Sequence, residues 1–440
     1  MRHRNAVHNG AAKRALAIAT IGGLAVVGLA GCGTTDKEVK AAKTSTTISV
    51  FVASNPWVET IKPKLADFEK ETGIKVDLQS FGNDQLSDQY NVKLNAQSTD
   101  IDVMVYRPLQ EAKLFADNGW LQDLTKNVSE DSKWGWDDFQ ASTKQTVTVD
   151  KKVYGVPLMT EREIIFYNQD VLNKAGVKVP KTLDELKAAA KAINDPANGT
   201  YGVAMRGRLA DAVTSFSGFL YSFGADWATK SGKSGIGTQK AIDAYEYYGD
   251  LVRNYGPPGA TNMGWVEASA IFAQGKAGFY IDADSQAYVF QDPKQSTIAD
   301  SVNYAPFPEG PAGARPYNDV PWAAGVSALS KHKDAAWTFI KWATSSQMFK
   351  DAITEQSSPS PRQSTWDDSK AVAGFPPALV DIVRQYTKIG VGYDRPQVIQ
   401  VGKARDIVGA PIVAAINGED VTAAAKAANT AFDEFLKTDR

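Results

Sequence analysis

The sequence predicts an α/β protein built as two domains, and three observations carry that expectation. Short apolar runs of strand length alternate with segments of helical period from residue 48 onward. The last hundred residues read as mainly helical. The part that follows a leader-like N-terminus is roughly 400 residues long, too many for one hydrophobic core.

Residues 48–53 are the first strand-like run, and Trp57, Ile61, Leu65 and Phe68 then recur at helical spacing up to Gly73, placed as a helix-ending C′ residue. A second strand over 74–78 precedes a helix around Leu86, Tyr90 and Leu94. A third strand over 101–106 precedes a helix over 109–118 that ends at Gly119. Such alternation predicts βαβ units and a mostly parallel sheet. Further strands are expected at 164–167, 279–281 and 326–329. Thr182-Leu183-Asp184-Glu185 has the form of a capping box opening a helix to Ile193, and helices are expected at 211–223, 239–254 and 421–436.

The N-terminus reads differently. Arg2, Arg4, Lys13 and Arg14 precede an apolar, small-residue run over 15–31 that ends in Leu29-Ala30-Gly31-Cys32. A basic region, a short apolar region and a small-residue cleavage site mark a secretory signal. The run is shorter than the roughly 20 apolar residues that a spanning helix needs. Residues 1–31 are read as a signal peptide and 32–46, poor in apolar residues, as a flexible tether.

Composition excludes several functions. Cys32 is the single cysteine, so the folded part forms no disulfide. Of three histidines, His3 and His8 leave with the signal and His332 stands at the start of a helix. No zinc cluster and no cofactor are expected, and a Ser-His-Asp triad would have to use His332. Removal of residues 1–31 leaves 44 basic and 50 acidic residues, a mildly acidic balance that argues against nucleic acid as partner.

Several stretches together resemble the family 1 extracellular solute-binding proteins, the group that includes maltose-binding proteins. They are residues 68–76 (Phe-Glu-Lys-Glu-Thr-Gly-Ile-Lys-Val), 102–106 (Asp-Val-Met-Val-Tyr) and 154–161 (Tyr-Gly-Val-Pro-Leu-Met-Thr-Glu) running on to Phe166-Tyr167-Asn168. Residues 174–186, 272–279 (Phe-Ala-Gln-Gly-Lys-Ala-Gly-Phe) and 335–343 complete the set. Leu-Ala-Gly-Cys likewise resembles the lipobox of bacterial lipoproteins, in which the cysteine becomes the first residue and is lipidated.

The resemblance implies a two-lobed, periplasmic-binding-protein-like fold of type II, with discontinuous lobes joined by a hinge. By analogy the N-terminal lobe comprises 47–161 plus 321–368, and the C-terminal lobe 162–320 plus 369–440. It further implies the substrate-binding lipoprotein of an ABC importer. Such a protein is a monomer on the outer face of the cytoplasmic membrane that delivers a sugar or sugar alcohol to the permease and is not an enzyme.

A sugar presents apolar C–H faces and a rim of hydroxyls, so its site needs flat aromatic rings and fixed charged groups. The chain has ten tryptophans. Trp120, Trp337 and Trp342 read as packing residues. Where the family places ligand contacts, at strand ends and the loops after them, stand Asn55, Trp57, Tyr106 and Arg107 in the first part of the chain. Glu161 and Arg162 lie at the first crossing between lobes, followed by Trp265, Glu267, Asp282 and Asp284. Trp322 and Gly325 lie at the second crossing, and Arg362 follows Ser-Pro-Ser-Pro. Arg162 paired with Asp284 suits a compact polyhydroxylated ligand. A different class stays open: a lipid-anchored glycoside hydrolase using Asp282 or Asp284 with Glu161 or Glu267, since retaining hydrolysis needs two carboxylates ~5 Å apart. A third is a structural or adhesive lipoprotein.

Overall fold

A computed structural model of the chain describes residues 46–439. The expected signal peptide, the tether apart from Thr46, and the lipidated Cys32 lie outside the described residues. The described residues form twelve strands: β1 (Thr46–Ala53), β2 (Ile74–Phe81), β3 (Val103–Tyr106), β4 (Thr148–Val149), β5 (Lys152–Val153), β6 (Val156–Pro157), β7 (Glu161–Asn168), β8 (Tyr201–Ala204), β9 (Ala277–Ala283), β10 (Val302–Pro306), β11 (Asn318–Asp319) and β12 (Ala323–Val326). One sheet has the order β2-β1-β3-β12-β6. A second has the order β10-β7-β9-β8, with β11 added against β7, and β4 pairs with β5 in a separate two-stranded sheet.

Each of the two larger sheets anchors its own hydrophobic core. One core gathers apolar residues from 48–158 and 320–349, including Ile48, Val50, Phe68, Val103 and Phe339. The other gathers residues from 164–307 and 379–435, including Ile165, Phe216, Tyr245, Phe279 and Phe432. A small third cluster around Trp366 joins Ile353 to Val380 and Val383. The fold is thus a two-lobed α/β structure in which each lobe draws on separated stretches of sequence. Among the described residues no helix is long and apolar enough to cross a membrane.

The expected helix through Trp57 and Phe68 divides into Pro56–Ile61 and Leu65–Thr72, with a 3-10 turn at Lys62–Lys64 between them. Pro63 lacks the N–H that would continue the α-helical ladder. Gly73 ends the second helix at φ +73°, as its placement requires. The Thr182 hydroxyl accepts from the Glu185 N–H at 3.2 Å, while the Glu185 carboxylate turns back one residue further, to the Lys181 N–H at 2.7 Å.

Two expectations need correction. The mostly parallel sheet holds for β1, β2 and β3 in the first lobe. In the second lobe β7 runs antiparallel to both β9 and β10, and only β8 and β9 are parallel. The reason is that β7 reaches its sheet directly from the other lobe and not through a helical crossover. The strand expected over 326–329 forms three residues earlier, because residues 323–326 are the ones that pair with β3, with Ala323 and Ala324 also pairing with β6. A Cβ on Gly325 would sit 2.8 Å from Leu121 Cδ2 and from the Tyr154 carbonyl oxygen.

Candidate functional site

Only residues 158–160 separate β6 from β7, and only 320–322 separate β11 from β12. Each link reaches at most about 14 Å when extended, so the strand ends on either side are held near one another. On the first lobe these are the carboxyl end of β3, at Tyr106, and the start of β12, at Ala323, which pair directly. On the second lobe they are the carboxyl ends of β8 and β9, the start of β7 and the two residues of β11. In open α/β sheets ligands bind in the crevice at the carboxyl ends of strands. The crossing geometry sets two such ends face to face.

The second lobe fills its side of this crevice with charge. Arg206, two residues beyond β8, grips Asp282 with two nitrogens; its Nε donates to Oδ2 at 2.7 Å. The Tyr280 hydroxyl donates to the same oxygen at 2.9 Å and the Ala283 N–H to Oδ1 at 2.8 Å. Arg395 makes a two-nitrogen contact with Asp394, and the Thr214 hydroxyl donates to that carboxylate at 2.6 Å. Burial alone would raise Asp394, but the Arg395 guanidinium, with Arg405 and Thr214, overcomes it and holds the carboxyl at about 2.

Glu161 and Asp319 lie directly opposite each other in the β7–β11 pair. Among the described residues neither carboxylate forms an ion pair, and the Ser285 hydroxyl donates to Glu161 at 2.6 Å. Burial pushes Glu161 up to about 7, with Asp284 and Asp282 adding to the rise and Ser285 and Arg206 opposing it. Burial also lifts Asp319 well above the ordinary carboxylate range, and the nearby Asp394 and Glu161 lift it further. Deeper on β7, Glu163 is fully buried, and its desolvation, with the nearby Asp282 adding to it, strongly favours the neutral acid.

The lobes touch across the crevice. The Lys113 ammonium donates to the Gln397 carbonyl at 3.2 Å, the Thr146 hydroxyl to the Gly392 carbonyl at 2.9 Å, and the Asn318 amide to the Ser142 hydroxyl at 3.0 Å. Between them a cavity of about 230 Å³ remains, lined in part by Pro108, Lys113, Thr146, Gly392, Tyr393 and Val398.

Of the residues expected to hold ligand, Glu161 and Asp282 stand in the charged cluster. Arg162 and Asp284 pair as expected, at 2.8 Å, but wholly out of solvent. The Arg162 side chain also donates to Thr160 and lies 5.2 Å from the ring of Trp366, so the pair ties the crossing segments together. Tyr106 is buried at the end of β3, and its hydroxyl has no hydrogen-bond partner among the described residues. Arg107 pairs with Glu111 and donates to Ser87 at 2.8 Å, beside the groove between the helix Pro108–Asp117 and residues 399–403. Trp322 is partly buried against the first core.

Trp265 and Glu267, read as a turn before a helix, form the first turn of the helix Trp265–Ala273. Trp265 is 44% exposed, and Glu267 accepts from the Gly264 N–H at 2.8 Å.

Four expected contacts are instead taken up by the fold. Trp57 is fully buried, with its indole N–H donating to the Ala343 carbonyl at 2.8 Å. Asn55 caps the helix Pro56–Ile61, accepting from the Val58 N–H and donating to the Ala53 carbonyl. Gly325 serves close packing between β3, Tyr154 and Leu121. Arg362 uses all five N–H donors inside the first lobe, on the carbonyls of Thr344 (twice), Trp134 and Gly135 and on Asp138. Its guanidinium has no donor left for a ligand.

Sequence reasoning missed Arg206, Asp319, Asp394 and Arg395. Asp319 was available by the logic applied to Glu161, since it precedes the second crossing in Tyr317-Asn318-Asp319-Val320. Arg206 follows a strand that was not anticipated. Asp394 and Arg395 lie in Gly390-Val-Gly-Tyr-Asp-Arg-Pro396, where a charge pair inside a Gly- and Pro-bounded loop was the available signal.

The sequence profile of the bacterial extracellular solute-binding proteins matches residues 54–348. The mannitol-binding protein of Pseudomonas aeruginosa is 30% identical over 244 residues, covering 54% of this chain and 55% of that one. The chain thus spans about half the length of the curated relatives it matches. A solute-binding protein of Agrobacterium vitis S4 with bound D-mannitol superposes at a TM-score of 0.72 and 27% identity, covering 89% of this chain and 99% of that one. A counterpart from Agrobacterium radiobacter K84, in complex with ribitol, superposes at 0.77 and 22% identity over 89% and 98% of the two chains, a likeness of fold.

Proposed function

From the premise that this chain belongs to the bacterial extracellular solute-binding protein family, we propose that it is the capture component of an ABC importer and that its ligand is a sugar or sugar alcohol. One observation carries the ligand class: the crevice end of the second lobe concentrates fixed arginines and carboxylates around Glu161, Arg206, Asp282, Asp319 and Asp394. Hydroxyl groups both donate and accept, so a polyhydroxylated ligand can satisfy such a mixed set, and charge-assisted hydrogen bonds of this kind are the strong ones. The mannitol-binding relative and the structure with bound D-mannitol support the same class.

The protein works as a monomer whose lobes close over the ligand. The two cores support lobe boundaries near residues 161 and 320, and a third crossing between residues 349 and 379. The N-terminal signal and Cys32 support a lipid anchor on the outer face of the cytoplasmic membrane, from which the liganded protein meets its permease. A hydrolytic role fits the geometry less well. Asp282 and Asp284 are each engaged by an arginine, and Glu267 is held at an exposed helix start.

The test is a thermal-shift and calorimetric screen with D-mannitol, ribitol and maltose. A true ligand at 100 times its Kd stabilises the fold by about 2.7 kcal/mol. No stabilisation by any of the three, or the appearance of shorter saccharides on incubation with maltose, would count against the proposal.

A further inference from the structure

Asp319 is the least explained charged group in the crevice. It is 4% exposed, and no hydrogen bond or ion pair among the described residues uses its carboxyl. Its partner across β7–β11 is Glu161, another carboxylate. Like charges directly opposite in a strand pair repel, so this arrangement costs stability unless something offsets it. The charged groups around the pair come from every neighbouring element. On β7 they are Arg162 and Glu163, on β9 Asp282, just beyond it Asp284, and after β8 Arg206. Asp394 and Arg395 face it from the loop after residue 390, and Arg405, on the helix Val401–Asn417, acts on Asp394 behind them. The arginines nearest the pair are already held: Arg162 by Asp284, Arg206 by Asp282 and Arg395 by Asp394.

We propose that Asp319 is a ligand-contacting residue and that, in the closed crevice, Asp319 and Glu161 act as one acid pair holding a single proton, so that capture of a neutral polyhydroxylated ligand takes up a proton from solvent. This deepens the sugar-binding reading and rests on it. In an open, wet crevice both carboxylates ionise at neutral pH. On closure water leaves, and two opposed carboxylates cannot both keep their charge. The acid then donates to one ligand hydroxyl while the carboxylate accepts from another. Glu161 titrating at about 7 in the closed arrangement agrees with this.

The linkage has a definite sign. The pair's proton affinity is raised in the closed state, so closure is favoured where the pair holds a proton. Affinity therefore rises as pH falls from about 8 toward the ordinary carboxylate range, by up to about tenfold per pH unit for one proton.

The experiment is calorimetric titration of the full chain with whichever of D-mannitol, ribitol and maltose binds most tightly. It is run at pH 6 and pH 8, and at pH 7 in two buffers of different ionisation enthalpy. The expected result is about tenfold tighter binding at pH 6 than at pH 8 and net proton uptake at pH 7. Asp319→Asn and, independently, Glu161→Gln should each reduce the pH dependence to less than about twofold, with ligand-free melting temperatures confirming that both variants fold. Equal affinity at the two pH values, or no proton uptake, would overturn the proton linkage while leaving the sugar reading intact. Wild-type affinity and pH dependence in Asp319→Asn would overturn the role of Asp319. Binding of none of the three sugars at either pH would overturn the sugar reading and this proposal together.

Discussion

Replacing Arg362 with Met separates the two roles that this residue could have. The guanidinium is 1% exposed and donates to the carbonyls of Trp134, Gly135 and Thr344 at 2.8–3.2 Å, and to Asp138 at 3.2 Å. It also lies 4.2 Å from the ring centroid of Phe139. Methionine keeps part of the aliphatic stem but removes every donor. Asp138 retains the N–H and hydroxyl of Ser364, at 2.8 and 2.6 Å, and the Gly135 carbonyl retains the Asp138 N–H at 3.3 Å, so the uncompensated groups are the carbonyls of Trp134 and Thr344. Each buried acceptor left unsatisfied costs about 1–3 kcal/mol, and removing one member of a buried charged pair costs about 3–5 kcal/mol. The cation–π contact adds about 0.5–2 kcal/mol to the loss, while relief of the arginine's own desolvation offsets part of it. The net expectation is a loss of about 3–5 kcal/mol, a large share of a typical folding stability of about 5–15 kcal/mol. Urea unfolding followed by tryptophan fluorescence measures it, since Trp134 lies beside the guanidinium. Affinity under native conditions should stay within about threefold of wild type, less than 1 kcal/mol. A variant that unfolds at the wild-type urea midpoint yet loses its ligand would refute the reasoning and return Arg362 to the binding site.

Three further outcomes are expected. Gly325→Ala places a Cβ 2.8 Å from the Tyr154 carbonyl oxygen and should destabilise the first lobe by about 1–3 kcal/mol, visible as a lower urea midpoint; an unchanged midpoint would show that the strand can shift to make room. Glu161→Ala removes a charge-assisted contact worth about 1.5–3 kcal/mol, so calorimetry should record about 10- to 150-fold weaker binding with little change in ligand-free melting, and equal affinities would place the site elsewhere. Cys32→Ala should release the protein from the membrane fraction or leave it unprocessed; mass spectrometry of the wild-type protein showing an unmodified Cys32 within an intact leader would contradict the anchor.

The elements whose patterns are local were legible in the sequence. Gly73 and Gly119 end helices at positive φ, and the periodic run from Leu183 to Ile193 forms a helix capped by Thr182. What failed were features that depend on distant partners. Pro63 was absorbed into an apolar period although its missing N–H breaks the helix. Residues 323–325 gave no strand signal because alanine and glycine have little β propensity; they form a strand because β3 and β6, both distant in sequence, pair with them on either side. At the site, position along the chain drew Trp57 and Arg362 into the candidate set, yet their side chains turn inward to carbonyls of residues 134–135 and 343–344. Conversely, Asp394 lies beyond Arg362, the last of the expected contacts, and only the fold brings it beside Asp319.

The order β2-β1-β3-β12-β6 also governs how the polypeptide reaches its native state as it emerges. β12 lies between β3 and β6 yet is made more than 150 residues after both. Until it arrives, β3 keeps a bare edge and the first core lacks Val320, Ala323, Val326 and the helix Lys333–Ala343. The sheet of the second lobe, by contrast, draws all its strands from the contiguous stretch 161–319. The lobe that begins first is therefore the one that must finish its sheet later. Non-local pairing of this kind slows folding, and an unpaired strand edge invites association with other chains. For a chain read as exported, that delay keeps the first lobe incomplete through most of its synthesis, when a threading machinery needs it unfolded.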